Sequence, residues 1–190
     1  MEIGERAAKE GLKINIKEES IYIILGNIYC SLGMKFHAKK IQQKMNFLKL
    51  KKIPSLTIFS KNGISHEFHT NEKNHFFMKE ILIKLKELYE KLVKTGFKPD
   101  TSFILDQDLT DLEKTEKLGF HSEKISLCFA LLNTEVSEKI ILTNNLKMCG
   151  DCHNFFKEIS KLLKKEIRVY DTRCWHHFEK NGFCSCGGFY

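Results

Sequence analysis

The sequence lacks any apolar run long enough to cross a membrane. Nowhere in the 190 residues does an uninterrupted hydrophobic stretch approach the roughly 18 residues that a bilayer-spanning helix needs. The first residues, MEIGERAAKEGLKI, carry acidic side chains and no apolar segment, unlike a secretory signal, and they are not Arg- and Ser-rich like an organellar transit peptide. We therefore expect no membrane partner and no targeting peptide, in a chain that is either untargeted or the tail of a longer protein.

The sequence also lacks the paired cysteines of a disulfide framework. Its cysteines number seven, which is odd, and they are unevenly distributed. Cys30 stands alone, whereas the other six lie between residues 128 and 186, in the same part of the chain as His153, His176 and His177. An odd count mixed with histidine favours metal binding over disulfide cross-links.

Acidic residues are too few to balance the basic ones in the first half of the chain. Residues 1–100 contain 19 Lys and Arg against 11 Asp and Glu, whereas residues 101–190 contain 12 against 13. A basic first half fits a polyanionic partner such as RNA. A lysine-rich, solvated helical surface explains the same charges equally well.

Residues 1–52 have the pattern of a short helical region. The segments ERAAKEGLKI, SIYIILGNIYCSLG and KFHAKKIQQKMNFLKLKK predict three helices. Gly33 lies where the second would end, and Pro54 cannot continue the third. The succession resembles helix–turn–helix repeats, but it is too short to establish a period.

Residues 53–100 predict a hairpin followed by a helix. Two β-rich runs flank Asn62 and Gly63, the dipeptide that best supplies the positive φ angles of a tight turn. A long amphipathic helix follows and ends at Gly96. Its apolar stripe consists of Phe77, Ile81, Leu85, Leu88 and Leu92.

Residues 101–190 alternate between strand and helix patterns. TSFILD, EKIILT and IRVYD predict strands, and helices are predicted from near His121 and over GDCHNFFKEISKLLKKE. This alternation indicates an α/β region in which helices cover a sheet. The tail TRCWHHFEKNGFCSCGGFY has no periodicity, so we expect a loop that metal ligation holds in place.

The segment NLKMCGDCHNFF contains Cys149, Cys152 and His153 in one cluster. Two cysteines three residues apart fit a redox dithiol, a structural zinc site or a catalytic zinc site. His121 would add a third ligand to Cys149 and Cys152 and leave the fourth zinc position open, as catalytic sites do. Both ligand groups lie at predicted helix N-termini, where the helix dipole favours thiolates.

Glu123 follows His121 by two residues, so its carboxylate is expected beside the metal without binding it. His-x-Glu followed by Cys-x-x-Cys, each opening a helix, is the signature of zinc-dependent nucleobase deaminases. In that chemistry Glu123 would take a proton from water, pass it to N3 of cytosine and assist the departure of ammonia from C4. A purely structural zinc site is the alternative for these residues.

His153 does not fit this first site, because on a helix it points roughly 100° away from Cys152. It is expected to serve a second, closed zinc site. The partners available in the tail are His176 or His177, Cys184 and Cys186. Residues two apart in an extended chain face opposite ways, so the two tail thiols can bind one ion only if the chain turns. The alternative is that these are unliganded surface residues. The other cysteines are predicted to be core residues: Cys30, Cys128 and Cys174.

These motifs resemble a known family. HSEK, NLKMCGDCH, HHFEKNGFCSCG and a terminal aromatic residue are similar, in the same order, to the motifs of the DYW deaminase domain of pentatricopeptide-repeat RNA editing factors. Residues 53–81 resemble its opening PG-box region, and SIYIILGNIYCSLG resembles the preceding E motifs. The chain departs from the family by ending in GFY rather than Asp-Tyr-Trp, by having Ser55 where the PG box has Gly, and by the CW that precedes its His pair.

The resemblance implies an α/β fold, a cytidine deaminase-like α/β/α sandwich over residues 53–190, preceded by an all-helical, repeat-like E region over residues 1–52. Within the sandwich, residues 53–100 would form the PG-box hairpin and helix, and residues 101–190 the catalytic core and tail. Two zinc ions are implied. The catalytic ion would be held by His121, Cys149 and Cys152, with Glu123 as the catalytic residue. The structural ion would be held by His153, His176, Cys184 and Cys186.

The resemblance further implies conversion of C to U in single-stranded RNA of mitochondria or plastids. The partners implied are a pentatricopeptide-repeat array, in cis or in trans, and proteins of an editing complex. Two other functions fit the motifs: a non-catalytic, zinc-stapled docking module, and a variant that runs the reverse U-to-C conversion. The intact His-x-Glu argues against the docking module, which has no need of Glu123.

Overall fold

The computed structural model describes residues 2–50, 53–104, 106 and 108–188. The chain divides into two compact units, Met1–Ile53 with Asp100–Lys114, and Pro54–Pro99 with Thr115–Tyr190. In the described ranges, no helix has both the length and the apolar character that a membrane span requires. The last two residues, part of the GFY terminus that departs from the family, lie outside these ranges.

The first unit is helical. Its elements are α1 (Glu2–Ile14), α2 (Glu19–Ser31), α3 (Lys35–Phe47) and a 3-10 helix (Thr101–Phe103). α2 packs against both other α-helices, and its Leu25 and Tyr29 form a small core with Ala38 of α3. The Tyr29 hydroxyl donates to Glu5 of α1 at 2.8 Å. The three helices predicted in residues 1–52 are therefore confirmed.

The strand predicted over TSFILD is wrong. The structure has the 3-10 helix there, because Asp100 accepts a hydrogen bond from the Ser102 amide at 3.0 Å and so favours a turn over an extended chain. These residues also cluster with the helical unit, although the sequence analysis grouped them with the region that follows.

The second unit combines a five-stranded sheet with helices. The strands are β1 (Leu56–Lys61), β2 (Ile64–His69), β3 (Ile140–Asn144), β4 (Ile167–Tyr170) and β5 (Trp175–Phe178). The helices are α4 (Met78–Val93), α6 (Ser122–Leu132) and α7 (Gly150–Leu163), and α5 (Asp111–Gly119), of which residues 115–119 belong to this unit, leads into α6. The strand order is β2-β1-β3-β4-β5; β3 and β4 are parallel and are connected through α7, and the other neighbours are antiparallel.

The β1–β2 hairpin has the predicted turn. Asn62 and Gly63 both have positive φ angles, 53° and 77°, which a two-residue turn between twisted strands requires. The amphipathic helix is also present as α4. It buries Met78, Ile81, Leu85, Leu88 and Leu92, while Phe77 lies just before it and is 38% exposed.

Two helices of the second unit, α6 and α7, pack on one face of the sheet. Phe59, Leu142, Val169 and Phe178 point to the same face in the strand register and are buried. The two aromatic rings among them meet the helices: Phe59 lies 6.1 Å from Phe129 of α6, and Phe178 lies 5.5 Å from Phe156 of α7, between ring centroids. The mixed α/β class is therefore confirmed. Positions on the opposite face, such as Ile141, are about half exposed.

The predicted loop-like tail contains a strand. β5 pairs with β4 along its whole length, and His176 and Phe178 are its buried residues. The prediction was wrong because each face of β5 carries a histidine, His176 on the buried face and His177 on the other. Histidine occurs at both buried and exposed positions, so the sequence shows no clear alternation of apolar and polar residues. Only the pairing partner β4 distinguishes the two faces.

We expect Leu88→Ala to destabilise the second unit by about 2–5 kcal/mol, because Leu88 is fully buried and its truncation leaves a cavity. Val93→Ala, on an exposed side chain of the same helix, is the control and should change stability by less than about 0.5 kcal/mol. Urea unfolding followed by the fluorescence of Trp175, the only tryptophan, reports on this unit. Equal effects of the two substitutions would contradict the packing described for α4.

Candidate metal centres and active site

The end of the hairpin positions the start of α6. His121 has the extended backbone of a helix N-cap, with φ −66° and ψ 137°. The Ser122 amide donates to the Thr70 hydroxyl at 3.3 Å, and the Asn71 amide donates to the Phe120 carbonyl at 3.0 Å. These two hydrogen bonds hold the α5–α6 junction, and therefore His121, against the residues that follow β2.

The start of α7 carries the two thiols of the Cys-x-x-Cys motif. Cys149 is the N-cap, and its sulfur accepts a hydrogen bond from the Cys152 amide at 3.4 Å. An N-cap acceptor satisfies an amide that the first turn of a helix leaves unpaired, and the positive end of the helix dipole favours a thiolate there. β3 delivers the chain to this point through residues 145–148.

His121, Cys149 and Cys152 bring their donor atoms together in what we call the first cluster. The Nδ1 atom of His121 is 3.5 Å from the Cys149 sulfur and 3.4 Å from the Cys152 sulfur. Tetrahedral zinc, with bonds near 2.1 Å to nitrogen and 2.3 Å to sulfur, requires a nitrogen–sulfur separation of roughly 3.6 Å. The donor set and its spacing therefore fit zinc, with one coordination position left for another ligand.

The charges of the first cluster favour metal binding. The thiol of Cys152, then the imidazole of His121 and the Cys152 amide, hold the pKa of Cys149 well below its usual range although burial acts against them. Burial and the neighbouring Cys149 sulfur raise the pKa of Cys152, so Cys149 is the thiol that ionises first. Burial lowers the pKa of His121, but contact with Cys149 raises it by more. A divalent cation would replace the protons that these groups share.

The Glu123 carboxylate lies in the first turn of α6 and is 4% exposed. Its Oε2 atom accepts a hydrogen bond from the Ser122 hydroxyl at 3.0 Å, and that hydroxyl accepts from Thr57 of β1 at 2.9 Å. Burial raises the pKa of Glu123, with the charge of Cys149 acting in the same direction and that of His121 against it. A carboxylate with a raised pKa is suited to taking up and releasing protons.

Ser55, where the family has Gly, joins the same network. Its hydroxyl is 2.8 Å from the Ser122 hydroxyl and 3.1 Å from the Asn144 side-chain oxygen at the end of β3. The departure from the family pattern therefore adds a polar group behind Glu123 rather than removing one. A glycine at this position could make neither contact.

A buried ion pair joins the first turns of the two helices. Lys124 of α6 contacts Asp151 of α7, and both side chains are within 1% of fully buried. The Lys124 ammonium also donates to the Tyr89 hydroxyl at 2.8 Å and lies 5.0 Å from the centre of the Phe155 ring. Lys124 is adjacent in sequence to Glu123, and Asp151 is adjacent to Cys152. The ion pair therefore fixes the start of α6 and the start of α7, which carry the site residues, relative to each other.

His153, His176, Cys184 and Cys186 form a second cluster, in which the four donor atoms lie within 4.8 Å of one another. The two sulfurs are 3.5 Å apart, the His153 Nε2 atom is 3.2 Å from the Cys186 sulfur, and the His176 Nδ1 atom is 4.0 Å from the Cys184 sulfur. Two nitrogens and two sulfurs at such spacing are the donor set of a closed, tetrahedral structural zinc site. Three of the four residues are buried.

The tail turns so that both of its thiols face this cluster. Gly182 has a φ of 86°, and a Cβ atom there would come within 3.1 Å of the Lys157 carbonyl oxygen, so glycine is required. Cys184 then forms a bridge with Phe178 of β5, and the Ser185 amide donates to the His177 carbonyl at 3.2 Å. Residues 185–188 then form a turn in which Gly187 and Gly188 have positive φ angles, 61° and 89°, so the chain bends after Cys184 and Cys186 can face the same cluster.

Burial holds two donors of the second cluster, His153 and Cys184, in their uncharged forms. Burial, helped by the charge of His176, lowers the pKa of His153 to about 3, so its imidazole carries no charge near neutral pH. Burial raises the pKa of Cys184 to about 12. An ion bound at this cluster would therefore displace the proton of the Cys184 thiol and would become the partner of these buried donor atoms.

The structure places His177 outside the second cluster. His177 points away from the cluster, with its Nε2 atom 2.7 Å from a Glu166 carboxylate oxygen, so His176 is the residue of the pair that faces it.

Cys128 is buried in the main core, as predicted, and burial raises its pKa to about 12. Cys30 packs against the small core of the helical unit. Cys174 is not a core residue; it is half-buried, 3.6 Å from the His176 Nε2 atom.

Three charged residues at the site were missed by sequence reasoning: Lys124, Asp151 and Asp171. In the sequence, Lys124 and Asp151 each stand next to a motif residue, at a position on the inward face of an otherwise amphipathic helix. A charged residue at such a position was the signal that could have identified them. Asp171 directly follows β4 and is fully buried. Its burial could not be read from the sequence, because a carboxylate after a strand is usually solvated.

Comparison with known proteins gives the family. Residues 96–190 match the DYW family of nucleic acid deaminases, and residues 1–60 match the E motif. The chain therefore belongs to the DYW family of nucleic acid deaminases.

Its relatives include plant pentatricopeptide repeat-containing proteins of Arabidopsis thaliana. The protein At2g27610 is 33% identical over 189 residues, which are 100% of this chain and 22% of that protein. The chloroplastic protein ELI1 is 33% identical and the mitochondrial protein At3g24000 is 37% identical, over 99% and 97% of this chain and 29% of each protein. The chain thus spans less than a third of the length of these relatives.

We predict that the purified chain carries two zinc ions and that Cys184→Ala removes one of them, because this thiol is a donor of the second cluster only. Cys128→Ala is the matched control, since it deletes a buried thiol outside both clusters and should leave two ions bound. Elemental analysis by mass spectrometry on the purified proteins gives the count. A folded chain that is zinc-free and stable to chelators would contradict both sites.

We expect Lys124→Met to cost about 3–5 kcal/mol of stability, because it leaves the Asp151 carboxylate buried without its partner. The double variant Lys124→Met with Asp151→Leu should recover much of that loss, since both charges are gone. Lys91→Met, which breaks an exposed pair with Glu87, is the control and should cost no more than about 1 kcal/mol. Urea unfolding of the zinc-loaded proteins distinguishes these outcomes.

Proposed function

We propose that this chain is a zinc-dependent cytidine deaminase that converts C to U in single-stranded RNA. The observation that carries the proposal is the position of Glu123, a buried carboxylate of raised pKa in the first turn of α6, the helix whose N-cap is His121. A docking module would have no use for such a group. A carboxylate buried beside two thiols and an imidazole is costly to maintain, and acid–base catalysis explains why it is there.

The residues of the first cluster would hold the ion, and Glu123 would move the protons. A zinc ion held by His121, Cys149 and Cys152 would supply a Lewis acid that makes water nucleophilic near neutral pH. Glu123 would accept the first proton of the attacking water and donate it to N3 of cytosine, and would then accept the second proton from the hydroxyl formed on C4 and deliver it to the departing amino nitrogen. A C4–O bond then replaces the C4–N bond, and ammonia leaves. Ser122, whose hydroxyl donates to Glu123, would keep the carboxylate oriented towards the base.

The RNA substrate and the organelle are proposed from the relatives. The relatives are named as pentatricopeptide repeat-containing proteins, two of them chloroplastic or mitochondrial. We infer that this chain acts with a pentatricopeptide-repeat array, in cis or in trans, which selects the RNA, and with other proteins of an editing complex in a mitochondrion or plastid. The second cluster would be a structural zinc site that holds the tail.

Glu123→Ala should lower deamination by at least about 10²–10⁴-fold, because it removes the proton shuttle. Zinc content should stay at two ions, since Glu123 is not among the cluster donors. The assay fuses the chain to a repeat array with a known RNA target and sequences the product. Glu116→Ala, at an exposed glutamate on α5, is the control and should edit like wild type.

Two outcomes would contradict the proposal. If Glu123→Ala edits at the wild-type rate, the carboxylate is not the shuttle and the docking-module function gains support. If the wild-type chain leaves a well-presented cytidine unchanged but converts uridine, the reaction runs in the reverse direction on the same residues.

A further inference from the structure

Asp171 connects the two clusters. Its carboxylate is fully buried and accepts four hydrogen bonds. The Oδ1 atom accepts from the amides of Arg173 and Cys174 at 2.7 and 2.9 Å. The Oδ2 atom accepts from the Met148 amide at 3.0 Å and lies 3.0 Å from the His176 Nε2 atom. One oxygen therefore contacts a donor of the second cluster and the residue that precedes Cys149 of the first.

On the side of the second cluster, Asp171 orients His176. The carboxylate lies on the Nε2 side of the ring, so the Nε2 proton is donated to it and the lone pair is left on Nδ1, the atom that faces the Cys184 sulfur. A carboxylate that holds the non-ligating nitrogen of a histidine is the usual second-sphere support of zinc ligands. Asp171 also forms a donor group with Cys174 and His176, but its oxygens already accept four protein donors, so we assign it to support rather than to a third ion.

On the side of the first cluster, Asp171 fixes the chain where it enters α7. Met148 is 1% exposed, and its amide is bound directly by Oδ2. The next residue, Cys149, must keep the extended N-cap conformation, with φ −78° and ψ 157°, for its sulfur to face His121. A movement of Asp171 would therefore change the position of a ligand of the first cluster through a single peptide unit.

We propose that Asp171 is a positioning residue that couples the two sites, so that zinc in the second cluster strengthens zinc binding at the first. This inference rests on the proposed function, because it assigns zinc to both clusters. An ion on His176 Nδ1 holds the ring, and the ring holds the carboxylate that orders Met148 and Cys149. Without that ion, the first cluster has to order this segment itself. Coupling of this kind is reciprocal, so zinc at the first cluster strengthens the second equally.

The test measures zinc affinity at each cluster by competition with a chromophoric chelator, on the full chain stripped of metal. We expect Cys184→Ala, which disables the second cluster, to weaken zinc binding at the first by about tenfold, the lower end of second-sphere effects. Asp171→Asn should weaken both clusters by a similar factor. Adding Cys184→Ala to Asp171→Asn should then produce no further loss at the first cluster, because the connection is already broken.

Asp111→Asn, an exposed aspartate at the start of α5, is the matched control and should leave both affinities unchanged. If a variant fails to fold without metal, the wild-type titration still decides the question: positively coupled sites give a zinc-binding curve steeper than a single-site isotherm, and independent sites give a curve no steeper than one. Equal first-cluster affinity in wild type and Cys184→Ala would overturn the coupling while leaving the deaminase proposal standing. A chain that binds no zinc at all would overturn both.

Discussion

The site depends on the amino termini of two helices, α6 and α7, which lie side by side. The partial positive charges at these two helix ends repel each other. Acidic groups offset this repulsion: Glu123 and Asp151 lie in the two first turns, and the Cys149 sulfur caps the second. Lys124 then joins the helices through its buried pair with Asp151. Imidazole and thiol donors that belong to different helices come within 3.5 Å only because this junction is closed.

The sheet provides the frame for this junction. β3 and β4 are parallel, so the crossover through α7 begins at the end of β3, next to the residues that follow β2. The hairpin contributes hydroxyls from its first strand and from the residue after its second, Thr57 and Thr70, both of which bind Ser122. A change in hairpin register would therefore move the group that orients Glu123, although the hairpin contains no cluster residue.

The two clusters meet through α7 and the chain that returns beside it. Cys152 and His153 are consecutive, yet they face different clusters because successive residues on a helix point about 100° apart. β5 carries His176 back along β4, and the turn at Gly182 brings the last two thiols to it. Strand pairing holds this segment, and the proposed structural zinc would add the donor atoms of the second cluster to that hold.

Local spacing in the sequence determined the helices of the first unit, the Asn62-Gly63 hairpin, the buried stripe of α4 and the residues able to ligate metal, because periodicity and turn chemistry act over a few neighbouring residues. It did not determine the strand of the tail or the 3-10 helix at Thr101, where pairing partners and a capping side chain decide. The choice of His176 over His177, the contact of Ser55 with Ser122, and the burial of Lys124 and Asp171 were likewise decided by the tertiary structure. Each depends on groups that lie far apart in the chain, and a charged residue is buried only where folding supplies its partners.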